Sequence, residues 1–310
     1  MDNRKNIIVL MGGRSPEHEI SLISGKEVVR NLDTKKYNVN TFVIKKDGKN
    51  WQKLLPKLHA TDLVFIAMHG PYGEDGTVQG LLDLAGVKYT GSGVLTSSLT
   101  MDKNMTRQLL SVHSIPMPKS VAIAKNDKNV NFSQVLGKFP YFVKPNNQGS
   151  SVGMSIVRKK SELKKAITNA FKYSDTVLVD EYIKGKEITC AILGNKKPET
   201  LPLVEIIPKA EFFDYDSKYL RGGAQEIVPA RISEKLTKQI QTLAIKIYKI
   251  MGCKGFARVD FILRNDTVPL FLEVNTIPGL TPMSLFPKAA KSAGILFPEL
   301  VDKIISNALF

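Results

Sequence analysis

The strongest constraint on the fold is a pair of apolar runs that do not alternate. One is Ile7-Ile8-Val9-Leu10-Met11, closed by Gly12-Gly13; the other is Leu63-Val64-Phe65-Ile66-Ala67-Met68, closed by His69-Gly70. A strand with one wet face alternates apolar and polar residues, so unbroken runs belong to strands buried on both faces, as in a parallel sheet covered by helices. Between the runs, Ile20, Ile23, Val28 and Leu32 recur at helical spacing and are expected on one buried side. A further helix is expected from Thr77, and the unit ends near residue 90 at Gly91-Ser92-Gly93.

The rest of the chain mixes signals differently. A helix is expected over 102–112, with Pro116 and Pro118 as breakers, then strands at 120–124 and 141–144. Ser161 is placed to N-cap a helix over 162–171, followed by a strand at 176–182. From Glu187 come strands split by Gly194-Asn195, an acidic and aromatic loop, and a long helix over 233–251. Strands at 256–263 and 270–274 precede a closing helix at 298–309. No repeat or low-complexity linker separates these segments, so two or three closely packed domains are expected.

The formal charge of +15 raises the question of nucleic acid. The basic residues are mostly scattered lysines, with neither an arginine-rich tract nor an aromatic RNA-binding motif, so an anionic small ligand explains them better. No membrane-length apolar stretch occurs, and the start MDNRKN runs into a strand without an apolar signal region, which reads as cytoplasmic. Cys190 and Cys253 lie in apolar sequence and are expected to be buried thiols, not a disulfide framework or a metal site.

Gly149-Ser150-Ser151-Val152-Gly153 fits the G-x-S-x-G pattern of a hydrolase elbow. That chemistry needs a helix after the serine and a histidine base later in the chain. Yet His18, His59, His69 and His113 all precede Ser151, and the following Met-Ser-Ile-Val is strand-like. The competing reading is a glycine-rich hairpin after Lys144 whose N–H groups and hydroxyls surround phosphate oxygens. A surface loop beside a solvated lysine is the plainer alternative.

Strand alternation puts Arg258 and Asp260 on one face of 256–263, and Glu273 with Asn275 on one face of the next strand. If the two strands pair through a 264–269 loop, three oxygen-bearing side chains converge beside one arginine. Oxygen donors without histidine or cysteine suit Mg²⁺ completed by water and phosphate. A polar sheet face carrying an Arg–Asp pair is the structural alternative, although burying such charges without purpose is costly. A phosphate loop with a Mg²⁺ site implies a nucleotide. Neither G-x-x-x-x-G-K-[ST] nor G-x-G-x-x-G occurs, so separated lysines and a small hairpin would have to hold the phosphates.

Taken together, MGGRSPEHEISL, HGPYGEDGTVQGLL, YTGSGV, MDK, VKPNNQGSSVGMS, FFDYDSKY, ARVDF and LEVNTIPGLTPMSL resemble, in order, the D-alanine:D-alanine ligase family of the ATP-grasp superfamily. The resemblance implies an N-terminal parallel-sheet α/β domain (1–91) followed by a two-part ATP-grasp (α+β) module (92–186 and 187–310). It also implies ATP, two Mg²⁺ ions with Mn²⁺ as an alternative, D-alanine as substrate, a cell-wall role, a homodimer, and no nucleic-acid or membrane partner. Two half-reactions follow, the first making an acyl phosphate of one D-alanine and the second displacing phosphate with the amine of another. By motif, Glu17 holds the first ammonium in a trio with Ser150 and Tyr219, with His69 nearby. Lys103, Lys144 and Ser151 meet the ATP phosphates, and Lys218 the transferred phosphoryl group. Asp260, Glu273 and Asn275 bind Mg²⁺. Arg258 and the Gly279 N–H stabilise the oxyanion, and Ser284 and Leu285 meet the second D-alanine. The 212–225 stretch, with Gly222-Gly223 as hinge, is expected to close as a lid. Glu187 fits the ribose position, whereas Asp180-Glu181 leaves open which carboxylate lies near the adenine. Tyr219 matches the type that makes the amide dipeptide, since phenylalanine there accompanies D-lactate as acceptor.

Overall fold

The computed structural model describes residues 3–127, 130–150, 152–208 and 224–309. The first segment is β1 (Lys5–Gly12), α1 (His18–Asn31), β2 (Tyr37–Ile44), a short α2 (Leu55–Leu58), β3 (Leu63–Ile66), α3 (Thr77–Leu84) and β4 (Lys88–Tyr89). Its strands form one parallel sheet in the order β2-β1-β3-β4. The non-alternating runs are its centre, with Ile7, Val9, Leu10 and Leu63 to Ala67 fully buried.

The expected buried side of α1 is corrected by the structure. Ile23 is 48% exposed, and the face against the sheet is His18, Ser21, Ser24, Gly25 and Val28. Close approach is the reason: a Cβ on Gly25 would stand 2.7 Å from Met11. Small hydroxyl residues also satisfy the strand ends. Ser21 Oγ accepts from the Gly12 N–H at 2.8 Å and donates to the Ala67 carbonyl at 2.7 Å.

Helices α4 (Val94–Met101) and α5 (Lys103–Ser111) lead into the second segment, with Asp102 capping α5 by accepting from the Met105 N–H. There β5 (Ser120–Ala124), α6 (Phe132–Leu136), β6 (Tyr141–Pro145), β7 (Ser155–Val157), α7 (Lys160–Ala170) and β8 (Thr176–Glu181) build an antiparallel sheet in the order β5-β8-β6-β7. The glycine-rich stretch joins β6 to β7, and no helix follows Gly153. Ser161 does not cap α7, which begins one residue before it. The Glu162 carboxylate instead reaches back to the Arg158 N–H at 2.9 Å, and this sets the helix start.

The third segment comprises β9 (Gly185–Leu193), β10 (Glu199–Thr200), β11 (Val204–Pro208), β12 (Ala224–Ile227), α8 (Glu234–Ile250), β13 (Phe256–Arg264), β14 (Val268–Asn275), α9 (Leu285–Ser292) and α10 (Phe297–Leu309). Its six antiparallel strands run β12-β11-β9-β13-β14, with β10 on β9. Of the expected lid, 212–223 lies outside the described residues. Ala224 and Gln225 are strand, paired with Pro208 and Ile207 of β11. Helix α8, capped by Ser233, covers one face through Leu236, Ile240, Ala244 and Ile247. The last helices turn back: Phe286, Leu300 and Ile304 share a core with Ile7, Leu10 and Val64 of the first sheet. Both cysteines are buried, with their thiols pushed well above the usual range by burial, Cys253 to about 12. Among the described residues no helix is long and apolar enough to cross a membrane.

Ser21 serves two backbone groups at once where no water reaches. Ser21→Ala is therefore expected to cost about 1–3 kcal/mol, read as a lower urea midpoint with an unchanged slope.

Candidate active site

Two clefts meet in the middle of the molecule. One, of about 330 Å³, lies between the two antiparallel sheets and combines apolar walls (Phe142, Met154, Leu272) with Lys144, Glu181 and Glu187. The other lies between the carboxyl ends of the parallel strands and the six-stranded sheet, and includes Glu17, His69, Lys103, Ser150 and Gly279. They share Arg258, Glu273 and Leu285. Among the described residues, the two clefts thus adjoin at this arginine, this carboxylate and Leu285.

The β13–β14 pairing builds that junction. Arg258 stands opposite Asn275 and Asp260 opposite Glu273, with a bulge after Asp260. The alternation expected for these strands is present, with Ala257, Val259 and Phe261 buried on the other face. Arg258 donates twice to Asp260, at 2.9 and 2.8 Å, and Thr189 Oγ1 donates to the same carboxylate at 2.5 Å. Glu273 faces the Lys103 ammonium at 3.5 Å. The Asn275 amide oxygen accepts the Ile277 N–H at 3.0 Å. Among the described residues no three His, Cys, Asp or Glu side chains cluster to hold a metal. The available donors are two facing carboxylates and one amide oxygen, a hard all-oxygen set that fits Mg²⁺ better than zinc.

Three cations are buried near the junction, Lys144 lining the first cleft, Lys103 the second and Arg107 behind them. Lys103 and Arg107 sit one turn apart on α5, and Lys144 on β6. Asp180 takes a bidentate bond from Arg107 at 2.7 and 2.9 Å, one from Ser120 Oγ at 2.6 Å, and the Lys144 ammonium at 2.9 Å. Burial alone would raise the Asp180 carboxyl, but Arg107 and Lys144 outweigh it and hold the group at about 2. Burial and the Arg107 charge bring Lys144 down to about 8 despite Asp180. Lys103 donates to the Gln148 carbonyl at 2.8 Å. Asp180 is therefore engaged on both oxygens inside the protein, whereas Glu181 lies at the cleft edge, accepting from the Lys119 N–H and Arg264.

In the second cleft Glu17 occupies the N-cap position of α1 without capping it. Its carboxylate turns away and accepts a short hydrogen bond from Ser150, a residue with φ of 49°. Glycines make the room: a Cβ on Gly149 would stand 3.2 Å from Glu17 Oε2, and one on Gly70 would stand 2.5 Å from it. His69 points Nδ1 at the Ile277 carbonyl (3.1 Å) and Glu74 (3.4 Å), and Nε2 at Ser24 Oγ (2.9 Å). Burial opposes charge on His69, but Glu74 and Glu17 raise it above its usual range, while burial raises Glu74. Ser284 Oγ does not cap α9 but accepts the Thr281 N–H at 3.1 Å, and a Cβ on Gly279 would strike it at 2.7 Å.

Ser151, Lys218 and Tyr219 lie outside the described residues. The other expected site residues line the two clefts, and three partners were not foreseen. Arg107 was signalled by its place four residues after Lys103 on an amphipathic helix; Glu74 stands in a quoted motif without a role; Ser24 carried no signal.

Removing the Asp180 charge would leave Arg107 and Lys144 buried against each other. Asp180→Asn is expected to lose about 3–5 kcal/mol in denaturant unfolding at neutral pH, far more than Lys144→Met, which leaves the Arg107–Asp180 pair intact.

Comparison with known proteins agrees with this geometry. The family described as D-ala D-ala ligase C-terminus matches residues 109–306, and D-ala D-ala ligase N-terminus matches 6–60 and 52–92. The D-alanine–D-alanine ligase of Carboxydothermus hydrogenoformans is 45% identical over 97% of both chains. The crystal structure of D-alanine–D-alanine ligase from Bacillus anthracis complexed with ATP is 36% identical, covering 98% of this chain and 97% of that one, with a TM-score of 0.85. VanG D-Ala:D-Ser ligase from Enterococcus faecalis is 34% identical over 98% and 99%, with a TM-score of 0.84. With both family matches spanning the sheets that build the clefts, and relatives aligned end to end, the chain belongs to the D-alanine–D-alanine ligase family.

Proposed function

We propose that this protein joins two D-alanine molecules at the expense of ATP, supplying the dipeptide for peptidoglycan precursors. The observation that carries the reading is the meeting of a nucleotide-sized cleft with a carboxylate-lined one at Arg258 and Glu273. The proposed division at residues 91 and 186 is supported by three sheets whose strands span 5–89, 120–181 and 185–275, although the second boundary falls just inside β9. The enzyme works in the cytoplasm as a homodimer.

The sheet-to-sheet cleft takes ATP. Glu187 meets the ribose, and Glu181 is the adenine-side carboxylate, since Asp180 is held by Arg107. Lys103, Lys144 and the 149–153 hairpin, Ser151 included, face the phosphates. Asp260, Glu273 and Asn275 would hold Mg²⁺, which would neutralise phosphate charge during transfer. Arg258, beside Asp260, is placed to face the reacting carbonyl. Glu17, positioned by Ser150 and Tyr219, holds the ammonium of the first D-alanine, and a carboxylate oxygen of that D-alanine attacks the γ-phosphorus as ADP leaves. Lys218 accompanies the moving phosphoryl group. The amine of the second D-alanine, seated by Ser284 and Leu285, adds to the acyl carbon. The resulting oxyanion is met by Arg258 and the Gly279 N–H, and phosphate departs as the amine loses its proton. Exclusion of water preserves the acyl phosphate, a role assigned to the 212–225 stretch.

The deciding assay is phosphate release from ATP and Mg²⁺ with D-alanine, L-alanine, D-serine or D-lactate, with products identified by mass. D-alanine-dependent release with D-alanyl-D-alanine is the expected result, with little depsipeptide at neutral pH. Release without that dipeptide overturns the reading, and a D-alanyl-D-serine product would move the chain toward its Enterococcus faecalis relative. Arg258→Ala is expected to lower turnover at least about a hundredfold in a folded protein.

Lys144 also carries a pH signature. It is charged below about 8 and neutral above, so ADP affinity measured by calorimetry should weaken as pH rises through 8. In Lys144→Met that weakening should be absent.

A further inference from the structure

The turn that carries Gly279 is held from across the molecule. Ile277 and Leu280 are buried, and both bond into the first sheet's layer, more than 200 positions earlier in the chain. The Leu280 N–H donates to Ser24 Oγ at 3.4 Å, Ser24 Oγ meets His69 Nε2 at 2.9 Å, and His69 Nδ1 faces the Ile277 carbonyl at 3.1 Å. Nδ1 has two acceptors before it, Ile277 O and Glu74, so it carries the proton. Ser24 Oγ accepts the Leu280 N–H and shares a hydrogen bond with His69 Nε2, so a continuous chain of bonds joins Leu280, Ser24, His69 and Ile277.

This chain grips the backbone on both sides of Gly279. A third bond, from the Ile277 N–H to the Asn275 amide oxygen, ties the turn to the end of β14. The Ser284 hydroxyl packs where a side chain on residue 279 would be, so nothing but backbone can face the reacting carbonyl there. A peptide N–H has no rotamer of its own; its direction is set by its neighbours' anchors.

We propose that Ser24, acting through His69, is a positioning residue that fixes the direction of the Gly279 N–H by clamping Ile277 and Leu280. The proposal rests on the reading of Gly279 as an oxyanion donor. Ser24 is fully buried and does not line either cleft, so its effect passes through the turn and not through substrate contact. Donors aimed beforehand at the developing charge stabilise the transition state more than the ground state, so loosening the clamp should lower kcat and spare KM.

The test compares the wild type with Ser24→Ala and Ser24→Cys. In Ser24→Ala, kcat for dipeptide formation is expected to fall about tenfold to a hundredfold, with KM for ATP and D-alanine changed less than about twofold. A phosphinate analogue of D-alanyl-D-alanine, tetrahedral and anionic at the former carbonyl, should bind more weakly in proportion to kcat, while ADP affinity is unchanged. Ser24→Cys, similar in size but a weak hydrogen bonder, should lie between, and it serves alone if the alanine variant does not fold. Unchanged kcat in a folded variant, or a loss carried by KM or ADP affinity, overturns the clamp. Arg258→Ala separates the two readings. If it weakens the phosphinate while the Ser24 variants do not, only the clamp fails; if neither weakens it, the oxyanion assignment itself fails.

Discussion

The pairing of β13 with β14 is the interaction on which the site depends. Placing Asp260 opposite Glu273 and Arg258 opposite Asn275 gathers two carboxylates, an amide and a guanidinium on one face. A one-residue slip of β14 would turn Glu273 and Asn275 into the apolar layer under α8 and bring Val274 to the clefts. The register is defended from the buried side, where Ala257, Val259, Phe261 and Val274 pack in a single core with α8. The nine-residue pairing of β13 with β9 adds Thr189 beside Asp260. Hydrophobic packing on one face thus sets the spacing of charge on the other.

That coupling explains how much was legible in the sequence. Strand positions came from unbroken or alternating apolar runs, and burial of Ile7 to Leu10 and of Val259 follows from patterns a reader can count. The face of α1 was misread because its buried side is built from Ser21, Ser24 and Gly25, residues chosen for size and hydrogen bonding. The start of α7 was misplaced because a reaching glutamate can substitute for a capping hydroxyl. In the site, residue types named the chemistry, but partners across the fold were invisible. Arg107 and Asp180 are 73 positions apart, and Ser24 and Leu280 are 256 apart. Only the folded chain shows that Asp180 serves the protein's own cations.

The charge arrangement has a common logic. The buried charges of the junction answer one another: Asp260 and Arg258, Glu273 and Lys103, Asp180 with Arg107 and Lys144. Such pairs carry desolvation costs that nearly offset their attraction, so they contribute little net stability but keep the side chains in place.

The return of α9 and α10 to the first sheet carries a consequence for biogenesis. Phe286, Leu300 and Ile304 lie against Ile7, Leu10 and Val64, so the parallel sheet made first by the ribosome lacks part of its cover until the last residues emerge. During synthesis its apolar strands stay open to other chains, and closure must wait for contacts spanning nearly the whole polypeptide. The same wiring means that a chain lacking α9 and α10 would leave Ile7, Leu10 and Val64 partly uncovered, exposing apolar surface of the kind chaperones and proteases act on.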